Sequence, residues 1–224
     1  MCGVSGFYLE SPSQDDFEMI KNVIVQSMIR GKHATGISFV KDGKIITIKE
    51  PIPADVFVDK HMQDAGMFIS KNQIKMIAHS RYSTSDLLFN QPISSEKFSL
   101  VHNGVISQEP ETIWKDLYGV ECKGKNDSEL LFMKHDDVFS YWPDSSIAAI
   151  ELSLEHMRFY RNGKRPLYYS IKENGFIITS TYDIMNRVNK EIIPFKTDSN
   201  CYYTIADFRT IEKSNREHYH GDYQ

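Results

Sequence analysis

Short apolar segments occur in two groups along this chain, and segments with helical periodicity accompany both groups. The first group opens at Cys2–Leu9 and includes a hairpin closed by the Asp42-Gly43 turn. The second group begins at Ile147 and is interrupted by turn-forming pairs such as Asn162-Gly163. Strands grouped in this way, with helices available to cover them, predict an α+β sandwich of two sheets.

The bounds of these elements follow from apolar spacing and turn residues. We predict helices over Asp15–Arg30, Ala54–Ile69, Asp127–Lys134 and Asp183–Val188. We predict strands over Cys2–Leu9, Ile37–Val40, Ile45–Ile48, Lys75–His79, Phe98–His102, Ile147–Leu154, Met157–Tyr160, Pro166–Ile171, Phe176–Ser180, Ile192–Phe195 and Cys201–Asp207. The polar segment from Ser80 to Lys97 is predicted to be a loop.

The composition is that of an ordinary globular protein, with 41% hydrophobic and 25% charged residues among 224. That length suits one domain, predicted here as 2–212, followed by a polar C-terminal tail at 213–224. The net charge is −4 and the Lys and Arg residues are scattered, which argues against nucleic-acid binding. No apolar stretch reaches membrane-spanning length and no basic leader is present, so we expect a cytoplasmic protein that does not engage a membrane.

The cysteines and histidines give no sign of a disulfide framework or a metal centre. The three cysteines cannot all pair, and no Cys-x-x-Cys spacing occurs. His218 and His220 form a His-x-His pair, but no second pair of ligands has useful spacing, and we interpret both as part of a solvated tail. The sequence therefore predicts a reducing compartment, no metal and no cofactor.

Cys2 directly follows Met1, and this position has chemical consequences. A small second residue allows the initiator methionine to be removed, which would leave a thiol and a free α-amine on one residue. The amine, with a reference pKa of about 7.7–8.0, is partly neutral at pH 7 and can act as a base. The thiol is the side chain most easily converted into a nucleophile at that pH. The alternative is that Cys2 is only a small hydrophobic residue at a start site.

Four polar motifs accompany Cys2 at predicted strand or helix ends: Arg30–Gly36, Ala78–Thr84, Val101–Gly104 and Asn126–Glu129. The second motif leaves the Arg81 guanidinium at a strand end, and the third exposes the N–H of a glycine that permits unusual backbone angles. The fourth places the Asp127 carboxylate at a helix start. Taken singly, these features are also typical of a surface ion pair, a plain turn and an ordinary N-cap.

In this order, the motifs resemble the class II glutamine amidotransferase domain, which is an N-terminal nucleophile (Ntn) hydrolase. The resemblance runs from Cys2 to about Ile211 and includes later β segments at 161–167 and 176–180. It implies a four-layer α/β/β/α sandwich of two mostly antiparallel sheets. It also implies that Cys2 attacks the side-chain amide of glutamine to form a thioester and release ammonia, and that water then frees glutamate.

The same resemblance implies roles for the polar motifs. The Asn103 side-chain amide and the Gly104 N–H would hold the oxyanion of the tetrahedral intermediate. Arg81 would bind the α-carboxylate of glutamine, a bidentate task that suits Arg better than Lys. Asp127 would pair with the α-ammonium group. The carboxylate site would be completed by the backbone of Tyr82 and by Thr84.

Three positions depart from the pattern of the family's sugar-phosphate synthases. Tyr82 stands where Trp is common, Ser85 where His is common, and His33 where Asp is common. These differences leave intact the side chains that would bind glutamine, Arg81 and Asp127, which we call the glutamine grip. They argue against a close relationship to those synthases.

A partner and two alternative functions complete the expectations. Family members usually continue into a synthase domain that consumes the ammonia, and this sequence stops at Gln224, so we expect a separate synthase or ligase as partner. The expected docking surface is the loop that carries the apolar residues Leu87, Leu88 and Phe89. One alternative is a stand-alone hydrolase of γ-glutamyl or other amides, and the other is a binding module that kept the fold and lost the chemistry. The sequence does not reveal the ammonia acceptor or the oligomeric state.

Overall fold

The computed structural model describes residues 2–83 and 90–215, and these ranges contain thirteen strands and six α-helices. Thr84, Ser85, the apolar residues at 87–89 and the His218–His220 pair lie outside the described residues, so the predictions for them stay predictions. Within the described ranges, no helix is both long and apolar enough to cross a membrane.

The strands form two sheets in which every neighbouring pair is antiparallel. The first sheet has the order β11-β9-β10-β1-β4-β2-β3 and the second has the order β13-β12-β8-β7-β6-β5, over the following ranges. The first sheet contains β1 (Gly3–Glu10), β2 (Ala34–Lys41), β3 (Lys44–Glu50), β4 (Gln73–Arg81), β9 (Tyr168–Lys172), β10 (Gly175–Thr179) and β11 (Pro194–Lys196). The second contains β5 (Ile93–Ser94), β6 (Phe98–His102), β7 (Ala148–Ser153), β8 (Met157–Arg161), β12 (Cys201–Asp207) and β13 (Thr210–Asn215).

The helices cover the outer face of each sheet, which gives four layers. The first sheet is covered by α1 (Gln14–Gln26), α2 (Ala54–His61) and α6 (Tyr182–Val188). The second is covered by α3 (Trp114–Tyr118), α4 (Ser128–Met133) and α5 (Val138–Tyr141). A third apolar cluster lies between the sheets and joins, for example, Val4 and Ile178 to Ile150 and Phe159. The α+β class and the four-layer α/β/β/α sandwich predicted from the sequence are therefore confirmed.

Strand β1 lies at the centre of the first sheet, between β10 and β4, and is buried on both faces. Alternate side chains point to opposite faces of a strand. Phe7 and Leu9 accordingly join the core under the helices, whereas Val4 and Tyr8 join the core between the sheets. Double burial explains why the segment reads as one continuous apolar run, and it gives Cys2 a rigid support. Truncating Phe7 to alanine would cost about 3–5 kcal/mol.

The first two helices end earlier than predicted. Helix α1 starts with a capping box in which Ser13 and Asp16 exchange side-chain and backbone hydrogen bonds, and it ends at Gln26, where a 3₁₀ turn takes over. The prediction of one helix over 54–69 was wrong, because α2 ends at His61 and a separate 3₁₀ turn follows. The Asp64 side chain accepts a hydrogen bond from the Gly66 N–H at 2.9 Å and so favours this local turn over a continued helix.

Four short strands and α-helices were not predicted, among them β5, which lies within the segment 80–97 that was predicted to be a loop. Helices α3 and α5 have five and four residues, too few for periodicity to identify them. Strand β13 extends to Asn215, past the predicted domain boundary at 212, and pairs along β12. Ile211 is the only apolar residue of this strand and most of its side chains face solvent, so no alternation of polar and apolar residues marks it in the sequence.

Candidate active site

Three strand ends meet at one end of the sandwich. In the register between β1 and β4, Gly3 lies opposite Ser80, so Cys2 lies beside Arg81, the last residue of β4. In the second sheet, β6 ends at His102 and Asn103 follows it. The Cys2 backbone nitrogen donates a hydrogen bond to Asn103 Oδ1 at 3.1 Å, so the two sheets meet here.

The Cys2 side chain lies in a partly buried position near two positive charges. Its Sγ is 3.9 Å from the Tyr82 carbonyl oxygen. Burial raises the pKa of the thiol, and the Tyr82 carbonyl contact and the charges of Arg81 and Arg30 oppose that rise. The thiol is therefore protonated at neutral pH, and it needs a base before it can act as a nucleophile.

Asn103 is 1% exposed, and the two ends of its amide differ in their hydrogen bonding. Oδ1 accepts from the Cys2 nitrogen, whereas Nδ2 is buried and has no hydrogen-bond partner among the described residues. A buried donor without a partner costs about 1–3 kcal/mol. An oxygen of a ligand bound at this end of the sandwich would satisfy this donor.

Gly104 occupies a position that no other residue could fill. A Cβ there would lie 1.7 Å from the Ser146 carbonyl oxygen and 2.6 Å from His102 Nε2. Backbone hydrogen bonds to the second sheet involve Asn103 and Val105 on either side, and none of those within the described ranges uses the Gly104 N–H. The Gly104 N–H is therefore a second donor next to Asn103, and no backbone acceptor in the described ranges occupies it.

A buried hydrogen-bond network holds this corner in place. His102 Nε2 lies 3.1 Å from the Ser146 carbonyl, to which it must donate, so Nδ1 accepts from the Ser128 hydroxyl at 2.9 Å. Gln91 Nε2 donates to Ser128 Oγ and to the His102 carbonyl, and Gln91 Oε1 accepts from the His102 N–H. Burial lowers the pKa of His102 and favours this neutral tautomer. The network links β6 to the start of α4.

Arg81 is 8% exposed, and its guanidinium is held by Asn90, which lies outside the four predicted motifs. Arg81 Nη1 donates to Asn90 Oδ1 at 2.6 Å. Behind it on β4, burial and then the Arg81 charge lower the pKa of His79 to about 3, so this imidazole stays neutral and adds no competing charge.

Asp127 is engaged in ordering the chain after Gly104. Its Oδ2 accepts from the N–H groups of Ile106 at 2.6 Å and Ser107 at 3.3 Å. Its Oδ1 takes part in no hydrogen bond within the described residues. The structure therefore shows a scaffolding contact at one oxygen, and pairing with an α-ammonium group stays a prediction for the other.

Tyr82 contributes its backbone to the site, while its side chain is 53% exposed. Its ring packs against His33 with a centroid distance of 5.1 Å, and His33 Nδ1 accepts from the Ser83 N–H at 2.9 Å. Gly31, in the first polar motif, lets this segment approach, because a Cβ there would lie 2.2 Å from the Tyr82 nitrogen. The first motif thus positions the residues that follow Arg81.

The structure brings together five of the predicted site residues and places a sixth beside them: Cys2, Arg81, Tyr82, Asn103 and Gly104, with Asp127 adjacent. It adds supporting residues at Asn90, Gln91, Ser128 and Ser146, of which only Ser128 stood within a predicted motif. Among the described residues, no group of His, Cys, Asp and Glu side chains could hold a metal ion.

Several solved structures share this architecture. Glutamine phosphoribosylpyrophosphate (PRPP) amidotransferase from B. subtilis, complexed with ADP and GMP, matches with a TM-score of 0.75 and 17% identity, over 97% of this chain and 50% of that one. A structure described as the allosteric regulatory enzyme of purine biosynthesis matches with a TM-score of 0.74 and 16% identity, over 97% and 49%. A glutamine aminotransferase class-II domain protein from Silicibacter pomeroyi matches with a TM-score of 0.58 and 11% identity, over 96% and 99%. The fold is that of the class II glutamine amidotransferase domains.

The class II fold predicted from the ordered motifs is thus confirmed at the level of architecture. This chain spans about half the length of the first two structures. No protein-family model matches the sequence, and no curated protein is similar to it by sequence. At these low identities the likeness concerns the fold, and the chemistry has to be argued from the side chains at the site.

Proposed function

We propose that this chain is a glutaminase of the class II amidotransferase type, which hydrolyses the side-chain amide of glutamine through a thioester on Cys2. The observation that carries the proposal is the two-sided use of Asn103. Its Oδ1 holds the Cys2 nitrogen, while its Nδ2, buried beside the same residue, has no partner in the part of the chain that the structure describes. An amide so placed can orient a base and stabilise an oxyanion at once.

The first step needs a base, because burial raises the pKa of the Cys2 thiol. Removal of Met1 would convert the Cys2 nitrogen into an α-amine at the position that now donates to Asn103 Oδ1. The neutral amine takes the thiol proton, and Sγ attacks the amide carbon of glutamine. The new oxyanion accepts hydrogen bonds from Asn103 Nδ2 and the Gly104 N–H.

Collapse of this intermediate breaks the carbon–nitrogen bond. The protonated amine returns its proton to the leaving nitrogen, which departs as ammonia and leaves a γ-glutamyl thioester on Cys2. A water molecule, deprotonated by the same amine, then attacks the thioester carbon, and glutamate leaves as the thiol is restored. Each donor of the oxyanion hole contributes about 3 kcal/mol to these barriers.

Recognition of glutamine rests on one fixed cation and one fixed anion. The buried Arg81 guanidinium, held by Asn90, binds the α-carboxylate, and Asp127 Oδ1 pairs with the α-ammonium group. A zwitterionic end requires both charges, and the bidentate geometry of Arg suits a carboxylate.

The ammonia is proposed to pass to a separate synthase or ligase. Free ammonia is mostly protonated at neutral pH and is then not nucleophilic, so a productive amidotransferase must deliver it before protonation. Such a partner would activate the acceptor and bind near the exposed ring of Tyr82.

Parallel assays of glutamate and ammonia released from glutamine test the proposal. The wild-type protein should release the two products in equal amounts, and Cys2→Ala should release neither while its circular dichroism spectrum is unchanged. Turnover of γ-glutamyl peptides without turnover of glutamine would favour the stand-alone hydrolase. Undiminished turnover of glutamine by Cys2→Ala would refute the thioester route.

A further inference from the structure

Asn90, which accepts a hydrogen bond from Arg81, also lines a cavity beside α4. The cavity has a volume of about 440 Å³ and is lined by residues of β3, of the segment 90–95 and of α4 with the loop before it. Asn90 therefore links this cavity to the proposed glutamine grip, because its Oδ1 accepts from Arg81. No step of the glutaminase mechanism uses the cavity.

One wall of the cavity carries a cation that neutral groups hold in place. Lys49 Nζ donates to the carbonyl oxygens of Asn90 at 2.8 Å and Pro92 at 3.0 Å. These two acceptors orient the ammonium group but do not neutralise it, and one of its three protons is left for a ligand. Lys49 is exposed for part of its length, and the partial burial of its ammonium group lowers the pKa of that group, a shift that the carboxylate of Glu129 opposes.

Another wall carries an anion. Glu129 Oε2 accepts from the backbone N–H groups of Lys123 at 2.7 Å and Gly124 at 2.9 Å, which fixes the carboxylate. Its Oε1 takes part in no hydrogen bond within the described residues. Lys49 and Glu129 both line the cavity and influence each other electrostatically, yet they form no ion pair with each other.

The remaining lining is largely apolar on the helix side. Phe132 and Met133 follow Glu129 on α4 at spacings of three and four residues, so the three side chains share one face. Ile93 adds a further apolar side chain. Two more charged residues that line the cavity, Glu121 and Lys123, are exposed.

We propose that this cavity binds a small zwitterion, an α-amino acid with an apolar side chain. Lys49 takes the carboxylate, Glu129 takes the ammonium group, and the side chain lies against Phe132 and Met133. A ligand with only one of these charges would leave the opposite wall unpaired, which disfavours simple carboxylates and simple amines.

The occupant would also regulate the glutaminase site, and this part rests on the proposed function. Lys49 and Arg81 hold the same residue, since Lys49 binds the Asn90 carbonyl and Arg81 binds its side chain. A carboxylate bound to the remaining proton of Lys49 shares the ammonium group with the Asn90 carbonyl and so weakens the hydrogen bond that holds Asn90. The result expected is a change in KM for glutamine with kcat little altered.

Isothermal titration calorimetry on the full chain tests the binding without reference to activity. The probes are L-leucine, L-methionine and L-phenylalanine, compared with 4-methylvalerate, which lacks the ammonium group, and 3-methylbutylamine, which lacks the carboxylate. We expect at least one amino acid to bind, and both single-charge analogues to bind about tenfold more weakly or not at all. Lys49→Met and Glu129→Gln should each weaken binding of the amino acid by about tenfold. Lys44→Met is the control, because Lys44 is an exposed lysine at the start of β3, and it should leave binding unchanged.

One further variant identifies whether the amino acid binds in the cavity or in the glutamine site. Asp127→Asn alters the proposed glutamine grip and should leave binding of the apolar amino acid unchanged. Binding that is lost in Asp127→Asn and kept in Lys49→Met would place the ligand in the glutamine site and overturn the proposal. Absence of binding by all three amino acids at millimolar concentrations, or equal binding of the single-charge analogues, would overturn it as well. Binding that depends on Lys49 in a protein with no glutaminase activity would support the cavity while refuting the proposed function.

Discussion

The Cys2 backbone nitrogen and Asn103 Oδ1 lie 3.1 Å apart, and this contact joins the first strand of one sheet to the end of a strand in the other. Through it, the residue proposed as nucleophile and base is held by the residue proposed to stabilise the oxyanion. Variants of Cys2 and of Asn103 should therefore differ in how they change the kinetics of glutamine hydrolysis.

Asn103→Ala tests the oxyanion role. The substitution removes the donor Nδ2, which acts chiefly on the charge that develops in the transition state, together with the Oδ1 that holds the Cys2 nitrogen, and kcat for glutamine hydrolysis should fall by about 10²–10³-fold or more. KM should change little. Steady-state kinetics on Asn103→Ala and on Asn22→Ala, an exposed position of α1, make the comparison. A change confined to KM would contradict the assigned role.

Substitutions at Arg81 and Asn90 test how the protein binds the α-carboxylate of glutamine. Arg81→Lys replaces a planar fork by a point charge and should raise KM for glutamine by about tenfold or more. Asn90→Ala removes the acceptor of the 2.6 Å hydrogen bond that fixes the guanidinium, and it should raise KM in the same direction by a smaller factor. Equal KM values for the wild type and Arg81→Lys would show that another residue binds the carboxylate.

Gly104→Ala should damage both stability and activity. The added Cβ would lie 1.7 Å from the Ser146 carbonyl, so the backbone has to move, and the cost should exceed about 2 kcal/mol. Gly163→Ala is the matched control, because its Cβ would meet only Ser199 Oγ at 3.8 Å. Thermal unfolding should show a clear loss of Tm for the first variant alone, and a stable, active Gly104→Ala would show that the Ser146 contact is not tight.

His79 predicts a pH dependence of stability. Its pKa falls from 6.5 to about 3 in the folded protein, mainly through burial. Between these values the unfolded chain binds more protons than the folded one, so the free energy of unfolding is highest above pH 6.5 and falls as the pH drops below it. The slope contributed by one such group is at most about 1.4 kcal/mol per pH unit.

Urea unfolding at a series of pH values measures this slope. His79→Gln should reduce it, while the remaining slope includes His102, whose pKa is lowered as well. His61→Gln serves as the control, since His61 pairs with Glu50 at the end of α2 and not in the core. An unchanged slope in His79→Gln would show that this imidazole can be charged in the folded state.

The sequence was most informative where a polar residue ends an apolar strand. Arg81 and Asn103 could be selected because each follows a run whose burial is evident from composition, and the backbone then brings the strand ends together. Asn90 and Gln91 could not be selected, because they lie in a polar segment whose path is set by contacts with Arg81 and His102 rather than by local pattern.

The same reasoning explains the errors in the elements. The apolar spacing of 54–69 suits one helix, but the Asp64–Gly66 turn intervenes, and local side-chain hydrogen bonding outweighs periodicity there. The short helix α5 is defined by tertiary contacts such as the hydrogen bond from the Val138 N–H to the Tyr202 hydroxyl, which no local signal reveals.

The chemical state of Cys2 during turnover tests the mechanism most directly. We would mix the purified protein with glutamine, quench in acid within the first turnovers and measure the intact mass. The species expected lacks Met1 and carries a γ-glutamyl group that maps to Cys2 on fragmentation. A fully active protein that retains Met1, with no adduct on Cys2, would contradict the N-terminal thioester mechanism.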